Sequence, residues 1–213
     1  MNLVFDLGGV VLRWQPLQLL QAVLPHHAPD EAQARRVSQA IFQSFQADGD
    51  WAAFDRGVID ADEVGQRIAH RTGFLSAADL AVVTQAVLEH LRPMPESLTL
   101  LGDLRSAGHR LFYLSNMPAA YADALLERDR FFEWFDDGVF SSRLQLIKPE
   151  PAIFQAASQQ FGVAPRDLLF IDDLPHNIEA AQAQGWRGVC FQNAVQCRVA
   201  LGSMGVATAP EPP

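Results

Sequence analysis

Polar residues able to do phosphate chemistry stand at the ends of short apolar runs in this chain. The run Leu3-Val4-Phe5 ends on a single acid, Asp6, then turns through Leu7-Gly8-Gly9. LFYLSN ends on Ser115 and Asn116, Lys148 follows LQLI, and LLFI ends on Asp172 and Asp173, with Asn177 close behind. Each has an ordinary structural use when taken alone: a turn acid, a helix cap, a surface lysine before a proline. Together they supply three carboxylates, a hydroxyl, an amide and an ammonium. Carboxylate oxygens suit Mg²⁺, which keeps several waters and bridges to phosphate. A carboxylate beside that metal can attack phosphorus and form an aspartyl phosphate. A lysine and a hydroxyl would neutralise and hydrogen-bond the phosphoryl oxygens as charge builds.

Such residues can cooperate only if a sheet brings them to one edge. Strands are expected near Leu3–Phe5, Arg110–Leu114, Gly138–Phe140, Leu168–Ile171 and Gly188–Phe191. Helical periods fall between them, near Glu96–Ala107, Ala119–Glu127, Pro151–Phe161 and Asn177–Gln184. This alternation predicts an α/β fold, a Rossmann-like doubly wound parallel sheet of about five strands. In such sheets ligands bind outside the carboxyl ends of the strands, where the polar residues stand. Pro118 and Pro175 read as first-turn prolines, and Gly108 and Gly185 as helix C-caps.

From Pro16 to Leu91 the patterns are helical only: Leu17–Leu24, Glu31–Gln46, Ala61–Thr72 and Ala77–His90. That block reads as a cap inserted after the first strand. The expected organisation is a core of residues 1–15 and 92–201, a helical cap of 16–91, and a flexible Pro- and Ala-rich tail of 202–213.

Composition sets the outer limits. The chain has 213 residues, 49% of them hydrophobic, enough for a sizeable core. Sixteen basic against twenty-five acidic residues give a net charge of −9, which argues against nucleic acid as a partner. Cys190 and Cys197 form no CxxC pair, so neither a disulfide framework nor a zinc site is indicated. Asp6 interrupts the first apolar run before it could form a secretory core. No stretch approaches the roughly 20 apolar residues of a membrane span. A cytoplasmic protein acting on a small phosphorylated metabolite is expected; the sequence does not indicate its oligomeric state.

The ordered set FDLGGVVL, LFYLSN, IKPEPAIF and FIDDLPHNIEAAQAQG resembles the four motifs of the haloacid dehalogenase-like (HAD) hydrolase superfamily. The resemblance runs from about Asn2 to Phe191, with a helical cap between the first and second motifs as in subfamily IA. WAAFDRGVIDADEV and LRPMPESLTLLGDLRSAGH are similar to stretches of a branch typified by YihX-like sugar phosphatases. The resemblance implies that Asp6 is nucleophile and metal ligand, and that Gly8 offers its backbone carbonyl to Mg²⁺. It further implies that Ser115 and Asn116 bind the phosphoryl group and that Lys148 holds it and steadies Asp6. Asp173 would ligate the metal directly, and Asp172 directly or through water.

One position departs from the superfamily. Most of its phosphatases carry a second Asp two residues after the nucleophile, which protonates the leaving alcohol and then activates water; here that position is Gly8. General acid–base help is worth about 10²–10⁴ in rate. Three functions fit the departure. The favoured one is a Mg²⁺-dependent hydrolase of small phosphomonoesters, with sugar phosphates as the preferred class. There the proton comes from water, a substrate hydroxyl or a cap residue, or the leaving group needs little help; His176 is one candidate for the acid. A 2-haloacid dehalogenase needs no acid there, but it also needs no Mg²⁺ and would have no use for the Asp172-Asp173 pair. The third is a protein that binds phosphorylated ligands with little turnover.

In the cap, Trp51, Phe54, Asp55 and Arg56 form the most distinctive cluster. Arg56 could reach an anionic or hydroxylated substrate, or else pair with Asp55 or another acid while the aromatics pack in the core. Trp14 lines the entrance or anchors the cap. His26-His27 and Arg35-Arg36 read as solvated surface, and RFFEWFD as a short helix packed on the sheet or a dimer contact.

Overall fold

A computed structural model describes residues 1–43, 46 and 48–208. Five strands, β1 (Asn2–Phe5), β2 (Arg110–Ser115), β3 (Asp137–Phe140), β4 (Leu168–Asp172) and β5 (Arg187–Cys190), form one parallel sheet in the order β3-β2-β1-β4-β5. The registers place Phe5 opposite Tyr113 on one side and Ile171 on the other. The chain leaves β1 toward β2 and β3, then crosses back to β4. The order therefore reverses between β1 and β4, and a crevice opens there beyond the strand ends.

Strands buried on both faces read as continuous apolar runs, and side-chain alternation divides each run between two layers. Leu3, Phe5, Leu111, Leu169 and Ile171 face a layer with α6 (Pro95–Ser106) and α11 (Ala194–Ser203). Val4, Phe112, Leu114 and Phe170 face α9 (Pro151–Phe161) and α10 (Pro175–Ala183) on the other side. The helix α7 (Ala119–Arg128) follows β2, and a 3₁₀ turn over Arg130–Trp134 sets Phe131, Phe132 and Phe135 around Tyr113 and Phe140. RFFEWFD thus packs onto the sheet.

Between β1 and α6 the chain is helical: α1 (Pro16–Val23), α2 (Glu31–Phe42), α3 (Asp50–Asp55), α4 (Ala61–Thr72) and α5 (Ala77–His90). Caps fix these starts: Asp30, Asp60 and Ser76 accept from the backbone N–H three residues on, and Ser76 with Asp79 completes a capping box. The two segments joining this block to the sheet pair side by side, with Arg13 N donating to Arg92 O and Met94 N to Val11 O.

Some boundaries differ from expectation. α2 ends at Phe42, because Gln43 turns left-handed (φ 49°) and its side chain accepts from Asp50 N; residues 44, 45 and 47 lie outside the described set. Pro175 opens α10, whereas Pro118 stands one residue before α7. Gly108 and Gly185 take the left-handed conformation expected of C-caps. Two helices, α3 and α11, were not expected, and a four-residue helix α8 (Ser141–Leu144) follows β3. Of the expected tail, Gly202 and Ser203 complete α11, Val206 is buried and Ala207 O meets His109 Nε2 at 2.7 Å; residues 209–213 lie outside the described set. Among the described residues no helix is long and apolar enough to cross a membrane.

Candidate active site

The carboxyl end of β1 delivers Asp6, and that of β4 delivers Asp172 and Asp173 to the opposite side of the same crevice. Lys148, on the loop before α9, lies between them. Its ammonium is 2.8 Å from Asp6 Oδ1 and 2.7 Å from Asp172 Oδ2, with all three side chains buried. Asp172 is fully engaged: besides Lys148 it accepts from Leu174 N at 2.8 Å and from Asn177 Nδ2 at 3.1 Å. Asp173 is less enclosed and lies against Gly9. A Cβ on Gly9 would fall 2.6 Å from Asp173 Oδ2, and Gly9 has φ +80°. Glycine is required there on both counts.

Asp6, Asp172 and Asp173 each offer an oxygen within 4.8 Å of the others. Three carboxylates around one ammonium leave negative charge uncompensated. Burial raises the Asp6 carboxyl to about 7; Lys148 pulls it down, while Asp172 and Asp173 add to the rise. Asp173 is raised to about 6, by burial and then by Asp172. Burial works against the Lys148 ammonium, but Asp172 and Asp6 outweigh it and hold its pKa above the usual value. An all-oxygen donor set with surplus negative charge fits a hard divalent cation such as Mg²⁺. Gly8 lines the same cavity, and among the described residues no hydrogen bond ends on its carbonyl.

Ser115 and Asn116 leave β2 into the same crevice. Ser115 is buried, and among the described residues its hydroxyl has no protein partner, so it is available to a ligand. Asn116 is differently engaged: its Oδ1 accepts from Lys148 N at 2.8 Å and its Nδ2 donates to Lys148 O at 3.0 Å. Its amide thereby sets the backbone that carries the ammonium. Gly8 has open space where a side chain would stand, since a Cβ there meets nothing within 4 Å.

The helical block α1–α5 lines the cavity with Trp51, Asp55 and Val87, next to Trp14 and Leu91 at its two ends and across from Met117, Pro118 and Tyr121. Edge-to-face contacts run from Trp14 through Phe42, Trp51 and Phe54 to Tyr121, so the aromatics both fill the interior of the helical block and wall the cavity. Arg56 is not among the lining residues. Its guanidinium grips Glu150 in a two-pronged pair at 2.6 and 2.8 Å and reaches Gln145 O at 3.2 Å, tying the end of α3 to the loop before α9. His176 is exposed on the first turn of α10, at the cavity rim. His27 lies 3.5 Å from Asp79, away from the site, and Arg35 pairs with Glu31 on the surface.

The sequence grouped Asp55 only as a partner for Arg56. With Arg56 engaged by Glu150, the Asp55 side chain is buried at the cavity wall with no hydrogen-bond or ion-pair partner among the described residues. Burial raises its carboxyl to about 8, Lys148 lowers it, and the charge of Asp6 adds to the rise. Its backbone carbonyl accepts from Ser141 Oγ at 2.5 Å, which pins this end of α3 to the core.

Comparison with known proteins gives a family and the same fold. The family model for haloacid dehalogenase-like hydrolases matches residues 2–185. A sesquiterpene phosphatase from Aspergillus oryzae, AstK, is 27% identical over 188 residues, 87% of this chain and 87% of that one. A HAD-like family hydrolase from Porphyromonas gingivalis superposes with a TM-score of 0.69 at 25% identity, over 95% of this chain and 96% of that one. A HAD family enzyme from Bacteroides thetaiotaomicron, solved with magnesium and inorganic phosphate, superposes with a TM-score of 0.67. It is 24% identical over 90% of this chain and 94% of that one, a likeness of fold.

Proposed function

Since the chain belongs to the haloacid dehalogenase-like hydrolases, we propose that it is a Mg²⁺-dependent phosphatase that hydrolyses small phosphomonoesters through an aspartyl phosphate on Asp6. The observation that carries this is the contact of Asp6 Oδ1 with the buried Lys148 ammonium at 2.8 Å, in a crevice shared with Asp172 and Asp173. Lys148 orients the Asp6 carboxylate for attack on phosphorus and offers charge to a phosphoryl oxygen. Asp172 and the Asn116 amide hold Lys148 in place from side chain and backbone. The Ser115 hydroxyl donates to a second phosphoryl oxygen. Asp6, Asp173 and the Gly8 carbonyl would hold the cation directly, with Asp172, already saturated by protein donors, acting through water. Bound there, the cation would neutralise the carboxylates and polarise the phosphoryl group.

Helices α1–α5 act in this reading as the cap that selects substrate and excludes water. Sugar phosphates are the class suggested by the resemblance to YihX-like proteins. The cavity walls favour esters whose alcohol also carries apolar surface, because Trp14, Trp51, Val87, Leu91 and Met117 face it. A terpenoid alcohol of the kind in the Aspergillus relative's name has that character. A 2-haloacid dehalogenase would not need the cluster of three acids, and a purely binding protein would not need a buried carboxylate aimed into the crevice.

The test is phosphate release from aryl, isoprenyl, sugar 1-phosphate and sugar 6-phosphate esters, with Mg²⁺ and with chelator. Metal-dependent turnover that vanishes in Asp6→Asn supports the proposal. No release from any ester by folded protein, or halide release from 2-haloacids instead, overturns it.

A further inference from the structure

Gly8 leaves the leaving alcohol without the usual proton donor, so a replacement must come from another group that lines the cavity. Tyr121 is committed, donating to Thr84 O at 2.5 Å, and burial raises its phenol further out of reach. Lys148 is held between Asp6 and Asp172. His176 stands exposed at the rim. Asp173 belongs to the carboxylate cluster on the floor. Asp55 alone among these is a buried acid on the cap side of the cavity, 6% exposed and without a side-chain partner among the described residues.

Its placement is rigid for a cap residue. Ser141 Oγ holds the Asp55 carbonyl, the next residue is clamped to Glu150 and Gln145, and Gly57 sits against Ser142, so close that a Cβ would lie 2.9 Å from the Ser142 Cβ. Resting on the phosphatase reading above, we propose that Asp55 of the cap is the general acid–base of this enzyme, taking the part that an aspartate at position 8 would play. In the first step the Asp6 carboxylate bonds to phosphorus as the P–O(alcohol) bond breaks. The Asp55 carboxyl gives its proton to the departing oxygen, leaving free alcohol, phosphoryl-Asp6 and an Asp55 carboxylate. In the second step that carboxylate takes one proton from water as the water oxygen bonds to phosphorus. Hydrogen phosphate leaves, the Asp6 carboxylate is restored and Asp55 is again protonated.

The groups whose charges act on Asp55 are Lys148 and Asp6 on the floor, and Asp55 in turn acts on Tyr121 of the opposite wall. Burial is the largest influence, and the resulting value of about 8 keeps the carboxyl protonated at neutral pH, ready to donate. Gly8 leaves space in the same cavity, since a Cβ there would meet nothing within 4 Å, and Asp55 lines that cavity from another wall.

The experiment compares kcat/KM, which reports steps through departure of the alcohol, for native protein, Asp55→Asn and Asp55→Ser. Substrates run from 4-nitrophenyl phosphate, whose leaving group needs no proton, to alkyl phosphates, whose leaving group does. Either variant suffices if its thermal melt shows it folded. The proposal predicts a graded loss: roughly 100-fold or more for alkyl esters and under tenfold for 4-nitrophenyl phosphate. Adding Gly8→Asp to Asp55→Asn should recover most of the alkyl-ester rate, which a purely structural role for Asp55 would not allow. Equal losses across the series, or no loss, would overturn the role of Asp55. Failure of the phosphatase reading looks different: no turnover by the native protein, or turnover indifferent to Asp6→Asn.

Discussion

Replacing Asp55 with asparagine removes an ionisable carboxyl from a buried wall, and its effect on stability should therefore depend on pH. In the folded protein this carboxyl titrates near 8, against 3.8 when free. Below pH 4 both folded and unfolded chains carry the proton, and the group has no pH-dependent effect. Between about 4 and 8 the unfolded chain has lost the proton and the folded one has kept it, so the native protein loses stability as pH rises. Each pH unit in that window costs about 1.4 kcal/mol. Across the gap of about four units the total is on the order of 5 kcal/mol before relaxation and water entry reduce it. Asparagine has nearly the same shape and no titration, so the variant should gain on the native protein by up to this slope. For a chain of this length that is about 3–5 °C in Tm per pH unit. The assay is thermal unfolding of both proteins from pH 4.5 to 8 in chelator, read by far-UV circular dichroism. The offset between the curves is immaterial; their divergence is the prediction. Parallel curves, or a native protein that gains on the variant as pH rises, would show that Asp55 is not held protonated by burial.

Other expectations bear on the floor of the cavity. Lys148→Met leaves Asp6 and Asp172 buried without their cation and should cost about 3–5 kcal/mol in denaturant unfolding at neutral pH. Mg²⁺ should raise the Tm of the native protein, because binding to the folded state alone stabilises it, and Asp173→Asn should remove most of that rise. Gly9→Ala should blunt the same Mg²⁺ response, since its methyl would displace Asp173 Oδ2 from 2.6 Å and its φ of +80° strains any residue with a Cβ. Calorimetric or fluorescence melts with graded Mg²⁺ check both.

Strand positions were legible because a parallel sheet buried on both faces demands apolar runs, and each run ends where the backbone turns toward the crevice. That logic alone brings Asp6, Ser115, Asn116, Lys148, Asp172 and Asp173 to one sheet edge. It could not see how they divide their work. The Asn116 amide holds the Lys148 backbone, a contact 32 residues apart in sequence that no local pattern signals. α3 was missed because six residues are too few to show a period. α11 was missed because Val195 and Val199 are exposed on the side opposite buried Cys197 and Leu201, which blurs its apolar stripe. Arg56 and Asp55 adjoin in sequence and suggested a pair; the α3 C-terminus sends one to Glu150 and the other into the cavity.

The central claim is covalent chemistry at Asp6, and a trapped intermediate tests it most directly. Native protein turning over 4-nitrophenyl phosphate with Mg²⁺ would be quenched in acid within milliseconds and its peptides mapped by mass. A phosphoryl group on the peptide containing Asp6, absent from Asp6→Asn, is the predicted result. Turnover with Asp6 unmodified throughout, or undiminished in Asp6→Asn, would contradict it.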